Sequence, residues 1–561
     1  MDLSNNLNLN SLFEKSCELH SNKPFLSFVN GKPLTFNDVN FKVQKLSWFL
    51  QKYGVEKGTK IAIFSESNPN WGISYLSITK TGAVVVPILP DFNKQEVENI
   101  LTHSDSEIIF VSKRLYKNLD NNVLKNIKIT ILIDDFSIIS ENSTLFSSKK
   151  LPSNIIKDII VNDDINNFKT VDVEEDDLLT IIYTSGTTGT SKGVMLTHKN
   201  IISNAIASSK IPITGNNERF LSILPMSHTY EFTLGFVIPI VIGGAVFYLK
   251  KPPTPSVLVP AMQKIKPTLM LTVPLIIDKV YRNKILPEFN KNLLIKLLYK
   301  IRPINKILNR IAGKKLYNTF GGKLHFFGIG GAKLASDTEK FLRDAKFPYA
   351  IGYGLTESSP LLAGTNALET KYRSTGPVLD GIEIKIDNPN SKGEGEILAK
   401  GPNIMKGYYK NKELTAETFT DDGWYKTGDL GIFNKNNYLF IKGRIKNMII
   451  GSNGENIYPE EIENVINKNS FVLESIVYEL RGKLVAKIHL DYPKVEGTYL
   501  ELKETSQSMQ KKVNELLNEI LFNVNHQLNK FSRLQLVIEQ TTPFEKTPTQ
   551  KIKRFLHMKR K

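Results

Sequence analysis

A chain of 561 residues with a single cysteine, Cys17, can form no internal disulfide and no cysteine-built metal site, which fits a reducing compartment. Its 41% hydrophobic and 23% charged residues describe a globular protein long enough for a large core and more than one domain. The net charge of +17 does not by itself point to nucleic acid, because Lys, Asn and Ile are abundant throughout and no nucleic-acid module is present.

The opening stretch, MDLSNNLNLNSLFEKS, is polar and has no apolar run of signal-peptide length, so a cytoplasmic location is expected. Apolar periodicity predicts a helix from Phe36 to Tyr53, and KIAIF (Lys60 to Phe64) reads as a strand. Pro69 suits the first turn of a helix, AVVVPIL after Gly82 reads as a buried strand, Gln95 to His103 as a helix and Glu107 to Val111 as a strand. Residues 140–169 are polar and weakly patterned. Leu178 to Tyr183 is strand-like, Ile201 to Ser208 helical and Arg219 to Leu224 again strand-like.

Phe232 to Leu249 carries no charge over 18 positions, but Pro239 and the Gly243-Gly244 pair divide it. A buried helix turning into a buried strand is therefore expected, not a membrane span. Further strands are predicted at Thr268 to Val273, Lys323 to Gly328 and Tyr349 to Gly352. From Gly381 the runs IEIKI, GEILAKG, LGIFN and YLFIKG alternate in the manner of a small antiparallel sheet. Glycine and charges at 442–447 mark a boundary, followed by strand-like SIVYEL and LVAKIHL and a helix from Ser506 to Leu528. The expected class is α/β, with a large domain of helix-covered sheets at 1–442, a hinge at 443–447 and a small α+β domain at 448–561.

The most informative stretch is Tyr183 to His198, YTSGTTGTSKGVMLTH. Glycines let backbone amides approach a phosphate; Ser and Thr hydroxyls add donors and Lys192 adds a charge. Lys192 follows Ser191 and precedes Gly193, so the nucleoside-triphosphatase P-loop spacing fails. The stretch resembles instead the phosphate-binding signature of the acyl-adenylate-forming enzymes, which include acyl-CoA synthetases, peptide-synthetase adenylation domains and luciferases. That resemblance implies ATP contacts from Thr184, Ser185, Gly186, Thr187, Thr188, Gly189 and Lys192.

Other segments fall in the same family order. LPMSHTYE places His228 where the family borders its acyl pocket, and the apolar run with Gly235 would help wall it. Gly330-Gly331-Ala332-Lys333 resembles the adenine loop, so Gly331 and Ala332 are adenine-site candidates. In IGYGLTESS the resemblance has Tyr353 stacking on adenine beside Gly354, Thr356 contacting the α-phosphate and Glu357 holding Mg²⁺. A carboxylate beside a hydroxyl suits this hard cation. Asp429 in DDGWYKTGDL takes the ribose position, Arg444 the matching cation and Lys446 the hinge of a mobile C-terminal domain. IGSNGENIYPEEIE (Ile450 to Glu463) resembles the loop that faces the site during thioester formation. FEKTPTQKIKR puts Lys551 at the catalytic lysine, although Gln550 replaces the glycine that often precedes it.

Within the family the chain looks most like long-chain fatty acid–CoA ligases, with ATP, Mg²⁺ and coenzyme A implied. Two alternatives stay open: an acyl-AMP ligase that loads a carrier protein, and an inactive relative that binds lipid. The presence of Thr356, Glu357, Asp429, Arg444 and Lys551 argues against the second. Asn283 to Lys315 is basic, with Leu293, Leu294, Leu297, Leu298 and Ile301 at helical spacing, so an anionic membrane surface is an expected partner. A core-packed helix with a solvated basic face is the competing expectation.

Overall fold

The structure is a computed structural model that describes residues 7–141, 153–158, 171–185, 191–212, 214–215, 217–450, 456–499, 506–547 and 552–557. Cap chemistry fixes where its first helices begin. The Phe36–Lys52 helix opens with Thr35 and Asp38 reciprocally capping, and the Lys94–His103 helix does the same with Asn93 and Glu96. Pro69 is the first residue of the Pro69–Lys80 helix, and Asn68 accepts a hydrogen bond from the Trp71 amide.

Two large sheets build the body. Among the described residues one has eight strands, with a parallel centre of Leu178–Ser185, Val84–Ile88, Lys60–Phe64, Ile108–Val111 and Ile129–Leu132. The other has seven, in the order Tyr349–Ile351, Phe326–Ile329, Leu269–Thr272, Arg219–Ser222, Ala245–Tyr248, Pro24–Phe28 and Leu34–Thr35. All its pairings are parallel except that of the last two strands. Because Pro24–Phe28 pairs with Ala245–Tyr248, chain segments more than two hundred positions apart share one sheet. The Pro69–Lys80 helix touches strands of both sheets, which is why Trp71 through Thr79 are all buried.

The uncharged run behaves as a buried helix and strand, with one unanticipated feature. Glu231–Val237 is a wide π-type turn, and the Ile238 amide reaches the Thr233 carbonyl. The Ile238–Ile242 α-helix follows with Pro239 near its start, Gly243 closes it at φ 68°, and Ala245–Tyr248 enters the seven-stranded sheet. Among the described residues no helix is long and apolar enough to cross a membrane. The strand expected from Lys323 instead runs Phe326–Ile329, because Gly321 and Gly322 turn with positive φ and Lys323 stays exposed.

Beyond these sheets, Glu383–Asp387, Gly395–Lys400, Tyr425–Phe433 and Leu439–Arg444 form the antiparallel sheet that the alternation predicts. The last of these strands includes Gly443 and Arg444, and a 3-10 turn, Ile445–Asn447, follows. The C-terminal part has its own apolar core, from Ile457 to Leu534, between a three-stranded sheet and the Pro459–Ile466 and Ser506–Gln527 helices. The molecule is thus a mixed α/β protein with a large N-terminal and a small C-terminal domain.

Candidate active site

Open α/β sheets bind ligands outside the carboxyl ends of their parallel strands. In the seven-stranded sheet those ends deliver three of the expected segments. Gly330 to Ala332 follow Phe326–Ile329, with Gly331 at φ 84° and Ala332 exposed. Tyr353 and Gly354 follow Tyr349–Ile351, and His228 follows Arg219–Ser222 at the head of the π-type turn. Tyr230 joins them: its ring lies 3.1 Å from where a Cβ on Gly330 would stand.

The described parts of the glycine-rich stretch are two strands paired as the arms of a β-hairpin. Leu178–Ser185 and Ser191–Thr197 pair antiparallel, with Thr184 opposite Lys192 and Ser185 opposite Ser191. Gly186, Thr187, Thr188 and Gly189 lie outside the described residues. Lys192 Nζ sits 5.3 Å from the ring centre of Tyr408, whose strand pairs with the same hairpin. Burial, then Lys446, lowers the Lys192 ammonium from its ordinary range, while Glu357 and Glu417 oppose the shift. A cation held in this way favours an anionic ligand that replaces its lost hydration.

Tyr408 ties the hairpin to the Thr356–Ser358 3-10 turn, because its hydroxyl donates to Glu357 Oε1 at 3.0 Å. The Met405 amide donates to the Glu357 carbonyl at 2.9 Å, so the backbone is fixed there too. Thr356 is 9% exposed beside it. Among the described residues no group of three His, Cys, Asp or Glu forms a metal cage. A single carboxylate with one oxygen engaged fits Mg²⁺, which takes one or two protein carboxylates and completes its shell with phosphates and water.

On the other side, Asp429 is 5% exposed and pairs across the antiparallel sheet with Arg444. Its Oδ1 accepts from Arg444 Nε at 2.8 Å and its Oδ2 from the Tyr353 hydroxyl at 2.8 Å. A carboxylate is an acceptor-only group, the chemistry that suits the donor hydroxyls of a diol. Gly354 has a packing reason for its identity: a Cβ there would meet the Pro360 carbonyl oxygen at 1.9 Å. Gly354→Ala is expected to cost about 3 kcal/mol through main-chain displacement, read as a lowered midpoint in thermal unfolding. An unchanged midpoint would mean that the strand pair Tyr353–Gly354 with Leu361–Ala363 relaxes freely.

The C-terminal domain meets this surface through its Pro459–Ile466 helix. Glu461 Oε1 is 3.4 Å from Lys333 Nζ, next to Gly331 and Ala332, and Asn447 Nδ2 donates to Glu460 Oε1 at 2.6 Å. The Tyr458 hydroxyl donates to Glu394 Oε2 at 3.0 Å, and a polar cavity of about 730 Å³ opens between Arg373, Glu394, Lys442, Tyr458 and Glu461. Lys446, exposed in the 3-10 turn, is the residue whose charge reaches Lys192. Lys551 and residues 451–455 lie outside the described residues. The flanks of Lys551 are folded, since Phe544 is 3% exposed, Ile552 bridges Lys546 and Arg554 pairs with Glu463.

Sequence reasoning passed over two residues here. Tyr408 carried only a weak signal, an aromatic pair after Gly407. Glu231 is the other: it is fully buried in the π-type turn, and among the described residues its Oε2 has no hydrogen-bond partner. Its Oε1 lies 2.7 Å from where a Gly235 Cβ would be, so Gly235 faces this carboxyl and any side chain there displaces it. Burial pushes Glu231 from 4.5 up to about 8. The unfolded chain therefore ionises first, and stability falls as pH rises from about 4.5 to about 8. Glu231→Gln removes that dependence. Its unfolding free energy, from denaturant titration, should gain on that of the parent chain across this window, by up to about 1.4 kcal/mol per pH unit. A gap that stays constant with pH would assign Glu231 an ordinary titration.

A two-domain α/β fold that gathers these segments at its sheet ends is an arrangement suited to a nucleotide-binding enzyme. Residues 13–409 match the family described as AMP-binding enzyme, and the chain belongs to that family. Long-chain-fatty-acid–CoA ligase 4 of Saccharomyces cerevisiae is 28% identical over 494 residues, covering 80% of this chain and 71% of the yeast protein. Fatty acyl-CoA synthetase A of Dictyostelium discoideum is 26% identical over 580 residues, covering 93% and 84%. In fold, ATP-bound MatB from Rhodopseudomonas palustris is similar at a TM-score of 0.74 over 98% of both chains, with 22% identity. O-succinylbenzoate coenzyme A synthetase (MenE) from Bacillus subtilis in complex with AMP gives 0.72 over 97% of both, with 19% identity. The family is one of acyl-adenylate-forming ligases, and long-chain acyl-CoA synthetases are among this chain's relatives.

Proposed function

We propose that the protein joins a long-chain fatty acid to coenzyme A in two steps at this site. The carboxylate first attacks the α-phosphorus of ATP, giving acyl-AMP and releasing pyrophosphate. The thiol of coenzyme A then attacks the acyl carbon and AMP leaves. The observation that carries the reading is the convergence of Lys192, Tyr408 and Glu357 with Tyr353, Asp429 and Arg444 beside the sheet ends.

Charge develops on phosphoryl oxygens in the first step, so placed cations and donors lower the barrier without a protein nucleophile. Lys192 and the hairpin hydroxyls of Thr184 and Ser185 would hold the phosphates, with Thr356 at the α-phosphate and Lys551 stabilising the transition state. Asp429, backed by Arg444 and Tyr353, would accept the ribose hydroxyls. Bound at Glu357, Mg²⁺ would neutralise phosphate charge. Lys446 would be the hinge, and His228 with the segment around Gly235 would border the acyl chain. A long aliphatic tail gains about 0.8 kcal/mol per buried methylene, which favours a dry lining of that kind.

The attacking sulfur would come from the acceptor, because burial pushes the Cys17 thiol up to about 12. The direct test incubates the protein with ATP, Mg²⁺ and fatty acids of graded length, with either coenzyme A or a holo-acyl-carrier protein as acceptor. Thioester on coenzyme A, rising with chain length, is expected. Thioester on the carrier protein alone would assign the acceptor otherwise, and no activity on long chains would remove the acyl assignment.

A further inference from the structure

Between positions 293 and 311 the surface is unusually apolar. Leu293, Leu294, Leu297, Ile301, Ile307 and Ile311 are 49% to 73% exposed, and no residue of the Leu293–Tyr299 helix is buried. The Arg302–Thr319 helix buries Asn309, Gly313 and Leu316, a stripe at i, i+4 and i+7. At about 100° per residue, Ile307 and Ile311 lie opposite that stripe, with Arg310 and Lys314 beside them. The two helices are tied together, since the Tyr299 hydroxyl donates to Asn309 Oδ1 at 2.9 Å and Asn305 Nδ2 donates to the Tyr299 carbonyl at 3.0 Å.

The same segment is strongly basic. Residues 283–315 hold nine Lys or Arg and one acid, Glu288, so they supply eight of the chain's net +17 charges. Among the described residues only Lys291 of the nine closes an ion pair, with Glu288. Lys314 and Lys315 line an open cavity of about 540 Å³ next to Ile311. The competing expectation, a core-packed helix with a solvated basic face, does not describe Leu293–Tyr299: Tyr299 packs on the core and Ile295 and Leu298 are half-buried, but Leu293, Leu294 and Leu297 stand in solvent.

We propose that this face docks on an anionic lipid bilayer, its leucines and isoleucines entering the headgroup layer and its Lys and Arg side chains pairing with lipid phosphates. An exposed apolar patch of this kind marks an interaction surface. A second copy of the chain is a poor occupant, because two faces each carrying eight net positive charges repel. A negative bilayer supplies both the apolar phase and the opposite charge. The inference stands on the patch alone and does not depend on the acyl substrate.

Co-sedimentation of the full chain with vesicles tests it, using phosphatidylcholine alone or with about one third phosphatidylglycerol. Binding should require the anionic lipid and fall when salt shortens the screening length from about 10 Å to about 3 Å. The triple variant Lys296→Gln, Lys300→Gln, Arg302→Gln should bind about a hundredfold more weakly, at about fivefold per basic residue. Leu294→Ser with Leu297→Ser should also weaken binding, and both variants should retain ATP–pyrophosphate exchange, which shows the fold intact. Binding indifferent to phosphatidylglycerol and salt would overturn the proposal. So would a parent chain that sediments as a dimer and becomes a monomer in the leucine variant, which would assign the face to self-association.

Discussion

Lys551→Ala is expected to slow acyl-AMP formation by about a hundredfold or more, the loss that follows removal of one transition-state contact. Supplied with ready-made acyl-AMP and coenzyme A, the same variant should make thioester at near the parental rate. The separation is expected if the C-terminal domain brings different sides to the site for the two half-reactions. Glu461 faces Lys333, whereas Glu463, two residues further along the helix and so about 200° around it, holds Arg554. Arg554 is therefore held on a different side of that helix from Glu461, which reaches Lys333 beside the Gly331–Ala332 loop. Rotation at Lys446 in the 3-10 turn would exchange the two sides, a hinge motion of the kind that gates many enzymes. Equal loss of both half-reactions in a folded Lys551→Ala protein would contradict the exchange.

Glu357→Gln should reduce acyl-AMP formation by a comparable factor, about a hundredfold, and raise the Mg²⁺ concentration needed for half-maximal rate. The amide oxygen of glutamine still accepts from Tyr408, so the 3-10 turn and the hairpin should keep their places. That makes the variant a test of charge and not of folding. Titration of the exchange rate with Mg²⁺ provides the check. Unchanged rate and unchanged Mg²⁺ dependence would remove Glu357 from the cation site.

Local chemistry carried much of this architecture in legible form. Thr35 with Asp38, Asn93 with Glu96, and Asn68 before Pro69 mark helix starts because each satisfies amides that a helix leaves open. KIAIF and VVVPI form strands where β-branched runs call for them. What could not be read is what depends on distant partners. Nothing in PFLSF announces that it pairs with Ala245–Tyr248, since parallel register is set by packing across the sheet and not by nearby residues.

The site divides in the same way. Thr184 opposite Lys192, and Asp429 opposite Arg444, emerge from motifs whose spacing the sheet preserves. Tyr408 and Glu231 escaped because their roles come from burial and from one hydrogen bond or its absence, and a sequence does not display burial. Gly354 shows the converse. Its motif suggests a ligand reason, and the fold supplies a backbone one through the Pro360 carbonyl.

The central claim is that a fatty carboxylate is activated as its adenylate, and ATP–pyrophosphate exchange measures that step without any acceptor. The account predicts incorporation of labelled pyrophosphate into ATP that requires both Mg²⁺ and a long-chain fatty acid and proceeds in the absence of coenzyme A. Folded protein that shows no exchange with any fatty acid, or exchange that does not depend on one, would contradict it.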